Sequence, residues 1–480
     1  MTGPSKGGAR GGGPGGAGRG AGRNSDARGR RLAERARGPR PVAEPVERLS
    51  DDDAADIGVE ARIAAGVLLN AALARRNGLD EAMSKSGFAA LPGPDRAFAR
   101  AVAMAALRRL GEIDQILNRR LQKSPPEAVR TLLRVSLAQT LVLGTPAFAA
   151  VSTAVKLAER DPKTRPYKAL VNAVLRGVER EGPGLTTAES NLPDWLAARW
   201  RAGWGEAAVA GLSLVAREEP PTDLSLKPGV DPAAVAEAVD GEVLPGGTVR
   251  TGRRGDLATW PGYETGDWWV QDAAAAVPAR LLAVRSGETV LDMCAAPGGK
   301  TLQLAAAGAQ VTALDRSASR LKRLSANLAR TGLSAEVVAT TGEDWADDRA
   351  FDAVLLDAPC TATGTLRRNP EALRAVRPGD IGDLADVQHR LLDAAADRVK
   401  PGGRLVYCVC SLEREEGEAQ ITAFLRRRPD FRTVPADPTA VGAPPEDLTP
   451  EGWLRLLPSM WAEQGGVDGF FVAGLERTGG

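Results

Sequence analysis

The chain of 480 residues contains a single histidine, His389. A Ser-His-Asp triad would have to use that residue, and a metal site built from several histidines is excluded. The four cysteines form no CxxC pair, which argues against a zinc ribbon and against a disulfide framework. They are Cys294, Cys360, Cys408 and Cys410. We therefore expect reduced thiols, no metal and a cytoplasmic protein.

The sequence also lacks any apolar run close to the ~20 residues that a membrane span needs. Its N-terminus is basic and glycine-rich where a signal peptide would carry a hydrophobic region. With 62 Lys and Arg against 61 Asp and Glu, the net charge is only +1, so nucleic-acid binding would depend on local basic patches. The length predicts roughly three domains at ~150 residues each. We also expect a soluble monomer without membrane partners.

Residues 1–52 form a Gly/Arg-rich tail. Eleven glycines occur in the first 22 positions, and in the first 40 residues ten basic side chains face two acidic ones. Because this segment has no apolar periodicity, it cannot bury enough surface to offset its chain entropy, and we predict that it is disordered. Two roles stay open: contact with a phosphate backbone, and a solvated tail without a defined role.

Residues 53–182 have apolar side chains at helical spacing. Ala64, Val67, Leu68 and Ala71 fall at i, i+3, i+4 and i+7, and similar stripes recur at 133–141 and 170–178. This pattern predicts an all-α domain of several packed helices. No catalytic cluster is evident in it, so the pattern alone indicates binding or scaffolding.

The remaining chain divides into two regions. Residues 183–285 are rich in Pro, Gly and Trp, and short runs at 222–227 and 268–271 alternate with turn signals, which predicts a small α+β linking domain. Residues 286–480 repeat strand then helix, with strands at 289–293, 310–314, 336–339, 353–356 and 404–409. Such alternation predicts a doubly wound, Rossmann-like α/β domain, whose ligands bind at the carboxyl ends of the strands.

A glycine-containing turn, Cys294-Ala-Ala-Pro-Gly-Gly-Lys300, follows the first of these strands and opens a helix. A P-loop needs glycine five positions before the Gly-Lys glycine, and Cys294 stands there, so that motif is excluded. Asp315 ends the next strand, where a carboxylate can accept both hydroxyls of a ribose. The pattern therefore indicates a site for a nucleotide-like ligand, with a tight structural turn as the alternative.

Two cysteines occur at the ends of later strands. Asp357-Ala-Pro-Cys360 follows the fourth strand, and Cys410 lies at the end of the fifth. A buried free cysteine is usually inert, but two at neighbouring strand ends, with an acid beside one, indicate thiolate chemistry next to a ligand pocket.

Together these motifs resemble those of the Sun family of S-adenosylmethionine-dependent RNA cytosine-5 methyltransferases. Segments 292–300, 357–360 and 409–411 carry the resemblance, with support from 270–272 and 468–472. The helical region, with Asp95-Arg-Ala-Phe98 and 170–176, is similar to the RNA-binding domain of the antitermination factor NusB. This combination implies the bacterial subgroup that forms 5-methylcytosine in small-subunit (16S) ribosomal RNA.

The resemblance also implies roles for individual residues. Cys410 is the nucleophile, Cys360 assists release of the product, and Asp357 and Lys300 complete the catalytic set. The S-adenosyl-L-methionine contacts would come from Cys294, Ala295, Ala296, Pro297, Gly298, Gly299, Lys300, Asp315, Asp344 and Asp357.

Several points stay open at the level of sequence. Spacing alone does not decide which cysteine attacks, and Val409 stands where the family usually has Thr. Cys408 could lie near the pocket or pack in the core, and Glu343 competes with Asp344 as the third acid. Arg367 and Arg368 are candidates for contact with RNA phosphates, and His389 is expected to lie at the surface or in packing. The competing function is an RNA-binding or ribosome-assembly factor with an inactive methyltransferase domain.

Overall fold

The computed structural model describes residues 58–74 and 78–479. The predicted tail, residues 1–52, lies outside them. The helices are α1 (Val59–Ala74), α2 (Gly78–Ser84), α3 (Ser86–Ala89), α4 (Gly93–Arg108), α5 (Leu110–Arg120), α6 (Glu127–Leu141), α7 (Ala147–Arg160), α8 (Lys168–Glu181), α9 (Asp194–Trp204), α10 (Glu206–Arg217), α11 (Pro232–Ala238), α12 (Ala273–Leu282), α13 (Gly299–Ala306), α14 (Ala318–Thr331), α15 (Ala372–Ala375), α16 (Pro378–Asp397), α17 (Glu418–Arg427) and α18 (Pro438–Val441).

The strands form two sheets. They are β1 (Thr222–Leu226), β2 (Gly241–Val243), β3 (Val249–Thr251), β4 (Trp268–Val270), β5 (Thr289–Met293), β6 (Gln310–Asp315), β7 (Glu336–Ala339), β8 (Phe351–Asp357), β9 (Val399–Val409), β10 (Phe431–Thr433), β11 (Leu454–Leu456) and β12 (Phe470–Arg477).

Helices α1 to α8 pack around one hydrophobic core, as the helical spacing predicted. The predicted stripe on α1 is partly wrong, because Val67 is 55% exposed while Leu68 is buried. The buried face also includes Ala61, Ala65 and Leu69. Since alanine and valine make several faces of α1 apolar, spacing alone could not select the face that the leucines bury.

The segment between the helical core and the large sheet contains a small antiparallel sheet of order β2-β3-β1-β4. Helices α9 and α10 pack elsewhere, with Leu366 and Leu412 from the segments that follow β8 and β9. Helix α12 is buried in the core of the large sheet, where Val277 contacts the same cluster as Val290 and Val406. The boundaries 183 and 285 therefore stay predictions, and the packing of α12 favours an earlier end for the linking region.

The large sheet has the order β10-β12-β9-β8-β5-β6-β7, with β11 paired to β12. Strands β5 to β9 run parallel, whereas β12 pairs antiparallel with β9, β10 and β11. This arrangement confirms the predicted α/β domain and adds an antiparallel edge. The strand order reverses between β5 and β8, so the carboxyl ends of these two strands border the crevice where such sheets bind ligands.

Candidate active site

The turn after β5 lies at the carboxyl ends of the parallel strands. Gly298 has φ +110°, which a residue with a side chain rarely adopts, and an added Cβ would lie 2.3 Å from Cδ1 of Leu324. Glycine is therefore required here for both conformation and packing. Helix α13 begins at the next residue, so its first N–H groups face the end of the sheet.

Asp315, the last residue of β6, holds this turn through its carboxylate. The side chain is 3% exposed, and its Oδ2 accepts a hydrogen bond from the N–H of Ala296 at 3.1 Å. Its Oδ1 accepts from the N–H of Ser317 at 2.8 Å. Each carboxylate oxygen can accept two hydrogen bonds, so each retains one acceptor position for a pair of ligand hydroxyls.

Lys300 and Asp357 form an ion pair between α13 and the end of β8. Lys300 Nζ lies 2.8 Å from Asp357 Oδ2 and 5.1 Å from the ring centroid of Phe470. Burial opposes the charge of Lys300, but the neighbouring Asp357 outweighs it and raises the lysine pKa. Cys408 is fully buried and its Sγ lies 3.4 Å from the other oxygen of Asp357. Cys408 therefore packs in the core and also lies beside the site, so the two positions expected for it do not exclude each other.

The two cysteines of interest meet at this edge. Cys360 Sγ lies 3.5 Å from Cys410 Sγ. Cys360 is 5% exposed, whereas Cys410 is only partly buried. A hydrogen bond with Cys410, followed by burial, raises the pKa of the Cys360 thiol. The two thiols are thus unequal: Cys410 is the more accessible, and the surroundings of Cys360 favour its protonated form.

The two candidates for the third acid lie in the loop after β7. Glu343 is paired with Arg390, with 2.6 Å between Oε1 and Nε. Asp344 accepts a hydrogen bond only from the hydroxyl of Thr341, at 2.6 Å, and has no cation partner among the described residues. A carboxylate without a bound cation is the better acceptor for a ligand hydroxyl, which favours Asp344.

The RNA-phosphate role predicted for Arg367 and Arg368 conflicts with their surroundings. The Arg367 side chain is 1% exposed and lies 3.6 Å from the carboxylates of Asp272 and Asp468. Arg368 donates to Asp272 at 2.7 Å. Both guanidinium groups are neutralised inside the protein, so this prediction is wrong for Arg367, and Arg368 is already committed to internal carboxylates.

Other sequence-level expectations concern metals, membranes and His389. Residues 58–74 and 78–479 contain no group of three or more His, Cys, Asp or Glu side chains that could hold a metal ion. In the same residues, no helix combines the length and apolarity needed to cross a membrane. The His389 side chain is 47% exposed, which confirms that it lies at the surface.

Comparisons with known proteins identify the family. The sequence profile of the 16S rRNA methyltransferase RsmB/F family matches residues 279–476, and that of the NusB family matches residues 59–180. The ribosomal RNA small subunit methyltransferase B of Xanthomonas campestris pv. campestris is 36% identical over 404 residues, which cover 80% of this chain and 91% of the relative. The chain belongs to the RsmB/F family.

A second relative supports this assignment, and a solved structure shows the same fold. The protein of the same name from Xylella fastidiosa (strain 9a5c) is 38% identical over 398 residues, covering 79% of this chain and 91% of the relative. The crystal structure of PH0851 shares the fold, with a TM-score of 0.69 at 24% identity, and covers 88% of this chain and 99% of its own. Family membership makes the chain a methyltransferase that uses S-adenosylmethionine.

The residues at the sheet edge fit this methyl donor. Its ribose needs acceptors for two hydroxyls, and Asp315 retains them. Its ammonium group needs a buried acceptor, and Asp292, next to the turn, has an Oδ1 atom without a hydrogen-bond partner in the described structure. Burial raises the pKa of Asp292 to about 7. An adjacent cation would therefore favour its ionised form.

Sequence reasoning missed the residues that join the two cysteine loops. Glu416 is fully buried and accepts hydrogen bonds from Thr361 and from Ser411, the residues that follow Cys360 and Cys410. Four acids, Glu413, Glu415, Glu416 and Glu418, occur between 413 and 418, with Arg414 and Gly417 among them. Such a charged run is typical of a solvated surface, so nothing in the local sequence distinguished Glu416.

Proposed function

We propose that the chain forms 5-methylcytosine in 16S ribosomal RNA through a covalent bond between Cys410 and C6 of the target cytosine. Membership of the RsmB/F family supports the RNA methyltransferase activity, and the relatives are small-subunit ribosomal RNA methyltransferases. The observation that carries the covalent mechanism is the pair of thiols, 3.5 Å apart, beside the Lys300–Asp357 ion pair.

A covalent step is needed because C5 of cytosine is a poor nucleophile. Addition of the Cys410 thiolate to C6 forms an S–C6 bond and moves the electron pair of the C5=C6 bond into the ring, so that C5 becomes the carbon of an enamine. S-adenosylmethionine supplies the methyl group that C5 then takes. A hydrogen bond from the Lys300 ammonium, which Asp357 holds in place, to the N3 edge of the base would stabilise the charge that develops in the ring.

Product release restores the ring. The C5 proton is lost to solvent, the electron pair of the broken C5–H bond re-forms the C5=C6 bond, and the S–C6 bond breaks with the sulfur leaving as the Cys410 thiolate. Cys360 lies within hydrogen-bond distance of that sulfur. Because its raised pKa keeps Cys360 protonated, it can donate a hydrogen bond to the departing sulfur. We assign to it assistance in this step.

The remaining roles are also proposals. The NusB-family domain, residues 59–180, would supply RNA affinity, because the family resemblance lies with an RNA-binding domain. We expect the protein to act as a monomer in the cytoplasm on ribosomal RNA. The residues that hold the methyl donor would be the turn 294–300 together with Asp315, Asp344 and Asp357.

The function is tested by bisulfite sequencing of 16S ribosomal RNA from cells with and without the protein. Because 5-methylcytosine resists conversion, one cytosine is expected to read as protected only when the protein is present. The matched control is a strain that carries the Cys410→Ala variant at equal abundance. If every cytosine were converted equally in cells with the protein and in cells without it, the proposal would be contradicted.

Replacing Asp315 by alanine is expected to weaken S-adenosylmethionine binding, because the ribose loses its acceptors and the turn loses the hydrogen bond at Ala296. Unpaired ribose hydroxyls cost about 1–3 kcal/mol. That cost corresponds to a Kd increased about 5- to 150-fold. Calorimetric titration measures this change, and Asp393→Ala, on α16 and paired with Arg427, provides the control. An unchanged affinity in Asp315→Ala would put the cofactor pocket elsewhere.

A further inference from the structure

Glu416 is a carboxylate buried inside the active-site end of the sheet. Its exposure is 0%, and none of the ion pairs within the described residues includes it. Instead, four hydrogen-bond donors surround its two oxygens. Oε1 accepts from the Thr361 N–H at 2.9 Å and from Gln388 Nε2 at 3.0 Å, and Oε2 accepts from the hydroxyls of Thr361 and Ser411.

These contacts join the two cysteine loops to each other. Thr361 follows Cys360 after β8, and Ser411 follows Cys410 after β9. Their hydroxyl oxygens are also 3.0 Å apart. One carboxylate therefore connects the two loops through the residues that directly follow the two cysteines.

Further hydrogen bonds fix the position of Glu416 itself. The backbone carbonyl of Glu416 accepts a hydrogen bond from the Tyr407 hydroxyl at 2.6 Å, and Tyr407 is fully buried in β9. Gln388 on α16 donates both to Glu416 and to the carbonyl of Pro359, at 2.9 Å. Glu416 is thus held directly by β9 and α16, and through Gln388 it is connected to the loop before Cys360, so it cannot move without breaking several buried hydrogen bonds.

We propose that Glu416 is a positioning residue that sets the distance and orientation of the Cys360 and Cys410 sulfur atoms. This inference rests on the proposed covalent mechanism. Attack on C6 requires the Cys410 sulfur at a near-attack distance, and a misplacement of about 1 Å can lower a rate roughly 100-fold. Release requires Cys360 to stay beside the same sulfur, so one carboxylate serves both steps.

The charge of Glu416 has a second effect. It adds to the hydrogen bond with Cys410 and to burial in raising the pKa of Cys360. A negative carboxylate disfavours a second negative charge on the nearby thiol, which helps to keep Cys360 protonated while Cys410 attacks. Glutamine at 416 keeps most of the shape and removes this charge.

The test compares Glu416→Ala and Glu416→Gln in the full chain, with methylation of 16S ribosomal RNA as the assay. We expect kcat to fall about 100-fold in Glu416→Ala, with the KM for RNA and the Kd for S-adenosylmethionine within twofold of the unchanged protein. Glu416→Gln should recover about tenfold of this loss, because its carbonyl still accepts from Thr361 and the two hydroxyls can rotate to accept from its amide.

The step affected is identified in a Cys360→Ala background, where the protein–RNA adduct reports attack by Cys410. Adduct formation on a denaturing gel should slow about 100-fold when Glu416→Ala is added. Glu415→Ala is the matched control, because this neighbouring glutamate is 49% exposed and, among the residues that the structure describes, forms an ion pair with Arg199 alone. Its kcat is expected within twofold of the unchanged protein.

The outcomes distinguish failure of the positioning role from failure of the proposed function. A kcat in Glu416→Ala within threefold of the unchanged protein, or a loss explained by weaker cofactor binding, overturns the positioning role. Absence of methylation by the unchanged protein instead counts against the proposed function. If Glu416→Ala does not fold, Glu416→Gln and Ser411→Ala decide, and normal adduct rates in both would overturn the inference.

Discussion

Replacing Cys410 by alanine is expected to abolish methyl transfer and every covalent protein–RNA species, whereas Cys360→Ala should still attack the base and accumulate the adduct. Without the Cys410 sulfur no bond to C6 can form, and the enamine that C5 chemistry needs is never reached. We expect a loss of kcat of at least about 1,000-fold in Cys410→Ala, the scale seen when a nucleophile is removed.

The two thiols are expected to differ because their surroundings differ, although they lie 3.5 Å apart. Cys410 is partly accessible, so an RNA base can approach it. Cys360 is 5% exposed, and the raised pKa of its thiol disfavours the thiolate form. Because the thiolate is the effective nucleophile, these two properties make Cys360 the poorer candidate for attack.

The measurement is a denaturing gel of each variant incubated with labelled RNA and S-adenosylmethionine. The matched control is the same RNA with uridine at the target position, which should give no cytosine methylation with any variant. An adduct from Cys410→Ala and none from Cys360→Ala would reverse the two roles. Methylation intact in both variants would rule out the covalent mechanism.

The active-site motifs could be predicted from the sequence because they lie at strand ends in a parallel sheet. The carboxyl ends of parallel strands meet at one edge, so Asp315, Asp357 and Cys410 are brought together once the strands are identified. The predicted strand at 289–293 agrees with β5 residue for residue. Local pattern and topology were sufficient for this part of the site.

The internal ion pairs of Arg367 and Arg368 could not be predicted in the same way. Loop arginines near a nucleic-acid site are typical phosphate ligands. Here their carboxylate partners are distant in sequence: Arg368 and Asp272 are separated by 96 positions. The same reason applies to Glu416, whose partner Thr361 lies 55 positions away. Contacts of this range depend on the packing of whole segments, which no local pattern encodes.

The buried charges around β1 lead to the largest expected effect on stability. Asp223 is 0% exposed and accepts two hydrogen bonds from the guanidinium group of Arg250, both at 2.7 Å. It also accepts from the N–H of Ala273, the first residue of α12, at 3.0 Å. Arg368 lies 3.6 Å away. One carboxylate thus joins the small sheet to the helix and loop that border the active site.

Asp223→Ala is expected to destabilise the protein by about 3–5 kcal/mol, because removing one partner leaves the other charge buried without compensation. The control is Glu336→Ala, whose partner Arg349 is 46% exposed. For such an exposed pair we expect at most about 1 kcal/mol. Urea unfolding followed by tryptophan fluorescence reports on the region, since Trp268 and Trp269 lie in β4, which pairs with β1.

The double variant Asp223→Leu with Arg250→Met separates the charge effect from the packing effect. Replacing both partners removes the uncompensated charge, so most of the stability lost in Asp223→Ala should return, as it does when buried ion pairs are exchanged for apolar side chains. Arg368 still has Asp272 at 2.7 Å and keeps its own compensation. Equal unfolding midpoints for Asp223→Ala and Glu336→Ala would show that the Asp223 carboxylate is not needed to neutralise Arg250.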